Sequence, residues 1–298
     1  MGEGLFREWR QTAFLFAFFV NGVFAMEGIF TFKACVIGCG KMGEAILKSL
    51  LHKGTFDSND LIVVEANDKI GEKIKNTYKV EVCNDALRAA LSSKLIVLAV
   101  KPHVVPIVAE MLAGKLSKEQ LILSIAAGVT SDQLIDMFNH KRIVRAMPNL
   151  AAQISQAATV WTAPAELDEI GRHEAEQVLN AIGEAIYVAN DHLIDVGTAI
   201  SGSGPAYQYL FMEALTDAGV RLGLTRQQAA KLTLGMVRGA ANLAAESQES
   251  FNELRYKVTT PGGTTAAAVS SLEKGAFRAL IDEAAEACYK KSQQLAKM

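Results

Sequence analysis

The segment from Val258 to Thr265 carries residue types suited to binding a small anion. It reads VTTPGGTT and directly precedes a run, Ala266 to Lys274, of helical composition. Pro261 stops the preceding helix because proline lacks an N–H, and the glycines let a ligand approach the main chain. Thr264 is predicted to cap the next helix. Since unpaired N–H groups at a helix start attract carboxylates, the segment is a candidate anion site; an ordinary capped turn is the alternative.

A glycine pattern near the amino end has the spacing of a dinucleotide-binding turn. Gly38, Gly40 and Gly43 follow an apolar run and open an amphipathic segment. In such turns one glycine allows the bend, one allows close approach of the pyrophosphate and one allows helix–strand packing. Glu65 ends the next apolar run, about 20 residues further on, where a carboxylate can hold a ribose hydroxyl. A glycine-rich turn without a ligand is the alternative.

The elements that would position these segments alternate between strand and helix. After a first strand near Lys33, strands are predicted over 61–66, 80–82, 95–100, 121–125, 142–146, 157–161 and 185–188. Helices are predicted over 69–78, 85–91, 104–112, 131–138 and 168–182. Near-continuous apolar strands between helices indicate a parallel sheet covered on both faces. We therefore predict an α/β fold with a Rossmann-type doubly wound sheet in a dinucleotide-binding domain, residues 33–190.

From about His192 the pattern changes to alanine-rich helices with interspersed glycines. Small residues permit close helix packing, and the small amount of aromatic bulk predicts that this core is completed by a second copy. Packing within one chain is the alternative. We expect an all-α dimerisation and substrate domain over residues 191–298.

Composition argues against several classes of function. The chain has 298 residues, half of them hydrophobic, and a formal net charge of −2. This balance provides no electrostatic footprint for nucleic acid or an anionic membrane. The 4 cysteines and 5 histidines show no metal-binding spacing. Free thiols suit a reducing cytosol, so we expect a cytoplasmic protein with no metal site and no nucleic-acid or membrane partner.

Residues 1–32 are predicted to be an N-terminal extension. Arg7 and Arg10 precede an apolar run over 13–20, and Val23 and Ala25 follow. This is the pattern of a signal peptide, although the run is too short for a membrane span. Because Met26 lies shortly before the first strand, we favour an upstream extension with a misplaced start codon over secretion.

Six ordered motifs together resemble those of the pyrroline-5-carboxylate reductases, the enzymes that close proline biosynthesis. They are VIGCGKMG at 36–43, LAVKP at 98–102, AAGV at 126–129, RAMPN at 145–149, SGSGPAY at 201–207 and VTTPGGTT at 258–265. The resemblance extends from Lys33 to Leu295.

The resemblance implies reduction of 1-pyrroline-5-carboxylate to L-proline with NADH or NADPH. The implied cofactor-binding residues, with Glu65 at the ribose, are Gly38, Gly40, Lys41, Met42, Glu65, Asn84, Ala99, Val100 and Lys101. The implied substrate-binding residues are Thr260, Gly262, Gly263 and Thr264. Thr265 is the position that contacts the imine nitrogen, which makes it the candidate catalytic residue. The helical domain of this family forms an interlocked dimer, often assembled into a decamer.

The chain departs from the family pattern at three places. No glycine occurs over 153–158, where the family usually has one. Lys94 stands where the family has an acidic residue, and Thr260 replaces a serine but keeps the hydroxyl. The first two departures question the loop conformation near the cofactor cleft.

Two other functions stay open on the sequence alone. Dehydrogenases of the β-hydroxyacid type share this arrangement but commonly carry a catalytic lysine on a mid-chain helix. The segment around Gly219 to Gly223 offers none, and Lys231 lies among polar residues. A non-catalytic nucleotide-binding protein would have no need for both the glycine turn and the 258–265 loop.

Overall fold

The computed structural model of the protein describes residues 30–296. The predicted N-terminal extension therefore lies outside the described residues, apart from positions 30–32. Within the described range, no helix combines the length and the apolar character that crossing a membrane requires.

Eight strands of the described chain form one sheet in the order β3-β2-β1-β4-β5-β6-β7-β8. They are β1 (Phe32–Ile37), β2 (Leu61–Val64), β3 (Glu81–Cys83), β4 (Ser93–Leu98), β5 (Leu121–Ser124), β6 (Ile143–Met147), β7 (Ala157–Thr162) and β8 (Gly183–Tyr187). The first six strands follow the order of a doubly wound dinucleotide-binding fold. The predicted Rossmann-type sheet is confirmed.

Helices cover both faces of this sheet. The helices associated with the sheet are α1 (Lys41–His52), α2 (Asp68–Tyr78), α3 (Ala86–Leu91), α4 (Val105–Leu112), α5 (Ser131–Phe138) and α6 (Glu169–Ala181). Alternate residues of β1 show how the core is divided. Ala34 and Val36 join the cluster that contains Ile46 of α1, whereas Cys35 and Ile37 join the cluster on the other face. Burial on both faces explains why these strands are apolar throughout.

One strand departs from the predicted parallel arrangement. β7 runs antiparallel to β6, and β8 then pairs with β7 in parallel. Only the short turn Leu150–Ile154 connects β6 to β7, whereas a parallel connection needs a crossover of roughly a dozen residues. The helix α6 supplies such a crossover between β7 and β8.

The remainder of the described chain is helical, as predicted. The helices are α7 (Asp191–Gly197), α8 (Gly204–Arg221), α9 (Arg226–Glu246), α10 (Phe251–Lys257), α11 (Thr264–Lys274) and α12 (Phe277–Ala296). A turn of π-helix, Thr198–Gly202, joins α7 to α8.

The helices α8 to α12 leave many apolar side chains exposed. Among the described residues from 204 to 296, the buried ones are Thr216, Ala229, Thr233 and Ser292. The exposed large apolar residues include Leu210, Leu215, Leu232, Leu234, Leu280 and Ile281. An apolar surface of this extent marks an interaction site.

Candidate active site

The predicted cofactor residues lie at one edge of the sheet. Gly38 follows β1, Glu65 follows β2, Asn84 follows β3 and Ala99 follows β4. These four strands are parallel, so their carboxyl ends meet at the same edge. The strand order reverses between β1 and β4, and open α/β sheets bind ligands in the crevice at such a switch point.

The three glycines of the turn occupy three different environments. Gly38 has a φ of 90°, and a Cβ there would lie 2.8 Å from Val100 Cγ1. A Cβ on Gly40 would meet nothing within 4 Å, which leaves space for a ligand. A Cβ on Gly43 would lie 2.1 Å from the carbonyl oxygen of Gly38, so helix α1 packs on the turn itself. A bend in the chain, an open approach for the ligand and close packing of the helix are the three roles of the glycines in a dinucleotide-binding turn.

The start of α1 offers unpaired donors to an anion. Gly40 is the N-cap, and no side chain caps the helix. In the described chain, the backbone N–H groups of Gly40, Lys41 and Met42 make no hydrogen bond. Lys41 is exposed, whereas Met42 packs against the core. These groups fit the pyrophosphate of a dinucleotide.

The Glu65 carboxylate faces this turn. Its Oε2 accepts a hydrogen bond from the Cys39 N–H at 2.9 Å, and its Oε1 accepts one from the Asn67 N–H at 3.0 Å. A carboxylate oxygen has two lone pairs, so each oxygen retains capacity for a ribose hydroxyl. Glu65 is therefore placed where a carboxylate could hold the ribose.

Two lysines follow Glu65 on α2. Lys73 Nζ lies 2.8 Å and 3.0 Å from the two carboxylate oxygens of Glu44, which occupies the first turn of α1. Lys69 is exposed and has no ion-pair partner within residues 30–296. The positive charge of Lys73 is thus directed to α1, and Lys69 remains available to an anion.

Cys35 in β1 and Cys39 shortly after it have no reactive character. Burial, followed by the charges of Glu44 and Glu65, raises the pKa of the Cys39 thiol to about 12. Burial raises the pKa of Cys35 to about 12 as well. Both thiols stay protonated at neutral pH and serve as packing residues. No cluster of His, Cys, Asp and Glu side chains in the described range could hold a metal ion.

The segment after β4 forms the other wall of the cleft. The Ala99 N–H donates to the Ile37 carbonyl at 2.9 Å, which holds this segment beside β1. Val100 Cγ1 occupies the space that a Cβ on Gly38 would need. Lys101 is exposed. Asn84 is exposed at the far side of the edge, directly before Asp85, the N-cap of α3.

The two questioned departures from the family pattern have local explanations. Lys94 lies at the amino end of β4, away from the cleft, where it pairs with Glu174 of α6. In the stretch without glycine, Ser155 adopts a φ of 57°. Its hydroxyl lies 2.8 Å from that of Ser49 on α1. A serine therefore takes the left-handed conformation that glycine would adopt more easily.

The 258–265 loop differs in detail from its prediction. Helix α11 begins at Thr264, its N-cap is Gly263, and no side chain caps it. The predicted cap at Thr264 is therefore wrong. Gly262 takes a φ of 73°. The bend at Gly262 places the N-cap at Gly263, one residue earlier than predicted, so Thr264 is already inside the first turn. A Cβ on Gly263 would lie 2.4 Å from Thr260 Oγ1, which explains the second glycine.

This geometry determines which amides can bind an anion. The Gly263 N–H donates to the Thr260 carbonyl at 3.0 Å and is already in use. In the described residues, the N–H groups of Gly262, Thr264 and Thr265 make no hydrogen bond. Thr265 is half-buried in the first turn of α11. The loop thus presents amides and a hydroxyl at one helix start.

The loop and the cofactor edge are not joined by the hydrogen bonds of this chain. Thr259 Oγ1 donates to the Arg255 carbonyl at 2.7 Å, and the Arg255 guanidinium lies 3.5 Å from Glu273. Every hydrogen bond of the loop found among residues 30–296 stays within the helices around it. Over the described part of this chain, hydrogen bonds therefore do not link the predicted substrate residues to the predicted cofactor residues.

A buried ion cluster links the sheet to the helices, and the sequence analysis missed it. Arg145 of β6 is 3% exposed; it pairs with Asp191, and its second terminal nitrogen lies 3.6 Å from Asp195 Oδ1. Asp195 Oδ1 also accepts from Ser292 Oγ of α12 at 2.8 Å, and Asp191 accepts from the Ser131 N–H at 3.2 Å. The available signal was a lone cation in an otherwise apolar strand.

Comparison with known proteins identifies similar families and chains. Residues 191–295 match the family model described as pyrroline-5-carboxylate reductase dimerisation. Residues 33–128 match the family model described as NADP oxidoreductase, coenzyme F420-dependent.

Full-length relatives are similar along most of the chain. The pyrroline-5-carboxylate reductase of Synechocystis is 40% identical over 262 residues, which is 88% of this chain and 97% of that protein. The pyrroline-5-carboxylate reductase of Escherichia coli is 36% identical over 263 residues, again 88% and 97%.

Solved structures show the same similarity. A pyrroline-5-carboxylate reductase from Coxiella burnetii has a TM-score of 0.83 and 36% identity, and the match covers 90% of this chain and 100% of that one. A pyrroline carboxylate reductase from Plasmodium falciparum with NADP bound has a TM-score of 0.77 and 26% identity, with the same coverage.

Proposed function

The chain belongs to the pyrroline-5-carboxylate reductase family, and we infer from this membership that it reduces 1-pyrroline-5-carboxylate to L-proline with NAD(P)H. The reaction adds a hydride to the imine carbon and a proton to the imine nitrogen. The observation that carries the inference is the presence, in the described part of a chain of this family, of two helix starts with unpaired amides. They are the amides of Gly40, Lys41 and Met42 and those of Gly262, Thr264 and Thr265.

NAD(P)H, when bound, supplies the hydride. We propose that the amides of Gly40, Lys41 and Met42 hold its pyrophosphate, with Gly38 shaping the turn and Glu65 accepting from the ribose. The remaining proposed contacts are those of Asn84 on the adenosine side and of Ala99, Val100 and Lys101 along the cleft.

We propose that the 258–265 loop holds the substrate carboxylate. The amides of Gly262 and Thr264 would donate to the carboxylate oxygens, while Thr260 and Gly263 keep the turn in shape. Thr265 would place its hydroxyl or its amide on the ring. Fixing the ring in this way can supply much of the rate enhancement, because positioning alone is worth several kcal/mol.

Acid–base work at this loop is light. Residues 258–265 include no histidine, lysine or carboxylate. Either the imine nitrogen arrives already protonated, or the Thr265 hydroxyl hydrogen-bonds it and relays a proton from water. In both cases the protein orients the imine and excludes competing geometries.

We propose that the chain forms a homodimer, the unit that this family often assembles into a decamer. The loop and the cofactor edge are not joined by hydrogen bonds in the described part of one chain. The exposed apolar faces of α8, α9 and α12 require a partner surface. A second copy would cover these faces. The free thiols agree with a cytoplasmic location.

A steady-state assay tests this function against the two alternatives. The purified protein is incubated either with 1-pyrroline-5-carboxylate and NADH or NADPH, or with a panel of β-hydroxyacids and NAD+ or NADP+. Oxidation of the reduced cofactor is followed in the first case and reduction of the oxidised cofactor in the second. Formation of proline from 1-pyrroline-5-carboxylate, with no turnover of the β-hydroxyacids, supports the proposal. Turnover of a β-hydroxyacid would identify the other dehydrogenase type, and nucleotide binding without any turnover would identify a non-catalytic protein.

A further inference from the structure

The junction between α7 and α8 is irregular. Over Thr198–Gly202 the chain forms a turn of π-helix, and the Ser203 N–H donates to the Thr198 carbonyl, five residues back, at 2.8 Å. Such turns have a less favourable geometry than the α-helix and occur frequently at functional sites. A turn of this kind needs support from its surroundings.

Pro205 removes one hydrogen bond from this junction. In an α-helix the Ser201 carbonyl would accept from the N–H of the residue four positions later. That residue is Pro205, which has no N–H. The Asn149 side chain supplies a donor instead, since its Nδ2 lies 3.1 Å from the Ser201 carbonyl oxygen.

Asn149 lies where the sheet edge meets the π turn. It follows the carboxyl end of β6, on the same edge as the proposed cofactor residues. Its Oδ1 accepts from the Ala151 N–H at 3.2 Å, which shapes the turn that follows. That turn ends at Ser155, whose hydroxyl contacts Ser49 of α1. One amide side chain therefore connects a turn held by the phosphate-binding helix to the start of α8.

We propose that Asn149 is a positioning residue for the imine reduction, acting through its hydrogen bond to the Ser201 carbonyl. This inference rests on the proposed function. The bond fixes the π turn, and with it the start of α8, against the edge where the cofactor residues lie. The competing explanation is that Asn149 serves only as the cap of the Ala151 turn.

Three substitutions separate these roles. N149A removes both hydrogen bonds. N149D keeps an oxygen that can accept from the Ala151 N–H, because aspartate is an equally good cap, but it places a second oxygen against the Ser201 carbonyl. P205A provides an N–H at residue 205, which can satisfy the Ser201 carbonyl from within the helix.

The readouts are kcat with 1-pyrroline-5-carboxylate, the NADH dissociation constant from fluorescence, and the midpoint of thermal unfolding. We expect N149A and N149D each to lower kcat roughly 10-fold, since small misplacements at a reacting centre have effects of this order or larger. The NADH dissociation constant should change less than about 3-fold, because the pyrophosphate amides are untouched. In the P205A background, the effect of N149A on kcat should shrink to less than about 3-fold, which is the coupling expected of two donors for one carbonyl.

Two results would overturn the proposal. N149D with wild-type kcat would show that only the cap of the Ala151 turn matters. This test does not depend on whether P205A folds. Equal effects of N149A with and without P205A would show that the Ser201 carbonyl is not the target. A wild-type protein without turnover would instead refute the proposed function. In that case the unfolding midpoints of N149A, P205A and the double variant would still show whether the Asn149 hydrogen bond exists.

Discussion

Among single residues, Thr265 is the one on which the proposed chemistry depends most. It lies in the first turn of α11, half-buried, and its hydroxyl makes no hydrogen bond with any other residue in the described range. We predict that Thr265→Ala lowers kcat/KM for 1-pyrroline-5-carboxylate by roughly 10-fold to 1000-fold, the range for losing one positioned donor at a reacting centre.

Steady-state kinetics of Thr265→Ala and of Thr264→Ala, one residue earlier and exposed, provide the measurement and its control. The Thr264 amide persists in its alanine variant, so the effect there should be small. An unchanged kcat/KM in Thr265→Ala would remove Thr265 from the mechanism.

The preference of the protein for NADH or NADPH is predicted to depend on Glu65. Its carboxylate accepts from the Cys39 N–H of the phosphate turn. A negative charge there repels a 2′-phosphate and favours ribose hydroxyls. We predict that the wild type uses NADH at least as well as NADPH, and that Glu65→Ser shifts the ratio of kcat/KM values toward NADPH.

A Glu65→Gln variant serves as the control for charge, because it retains an acceptor for the Cys39 N–H. If the wild type already favours NADPH by more than about 10-fold, Glu65 does not read the ribose.

Some residue-scale features were predictable and others were not. The three glycines could be assigned because their spacing encodes three roles: a bend at Gly38, open approach for a ligand at Gly40 and close helix packing at Gly43. The N-cap of α11, which is Gly263 and not the predicted Thr264, could not be assigned, because the helix start depends on a φ of 73° at Gly262 that composition does not specify. Asn149 was visible only as part of a motif, since its partner is a carbonyl distant in sequence.

At the scale of elements, the Arg145 cluster is the main connection between the sheet and the helices that follow. It joins β6 to α7, and Ser292 of α12 joins it through Asp195. Removing one member of a buried ion cluster leaves the others charged and unpaired, at a cost of about 3–5 kcal/mol. We predict that Arg145→Leu lowers the free energy of unfolding by about that amount.

Denaturant unfolding at fixed protein concentration is the measurement. Arg226→Leu is the matched control, because Arg226 pairs with Asp217 while remaining 70% exposed. Such an exposed pair contributes less than about 1 kcal/mol. Equal midpoints for Arg145→Leu and the wild type would show that the cluster does not stabilise the fold.

The element order was predictable because buried parallel strands have continuous apolar runs, whereas helices do not. The reversal of β7 was not, since antiparallel pairing depends on the short β6–β7 turn and leaves the apolar pattern of either strand unchanged. The π turn was likewise unpredictable, although Pro205 marks the position where an α-helical hydrogen bond must fail.

For the molecule as a whole, the N-terminal extension is predicted to be dispensable. The first strand begins at Phe32, whose N–H bonds to the Ser92 carbonyl at 2.9 Å. A protein that begins at Met26 retains this strand entirely, so we expect it to be as active as the full chain and to form a dimer or larger assembly. Size-exclusion chromatography with light scattering and the imine assay check both properties. Loss of folding would mean that residues 14–20 pack against the body.

The central claim concerns the whole assembly, because it requires the cofactor edge and the 258–265 loop to act on one imine. Its most direct test is isotopic: the full-length protein is given 1-pyrroline-5-carboxylate and NADH or NADPH carrying deuterium at the transferred position. We predict L-proline with a single deuterium on the ring carbon that formed the imine bond, in amounts equal to the cofactor oxidised. Cofactor oxidation without labelled proline, or no oxidation with either cofactor, would contradict the account.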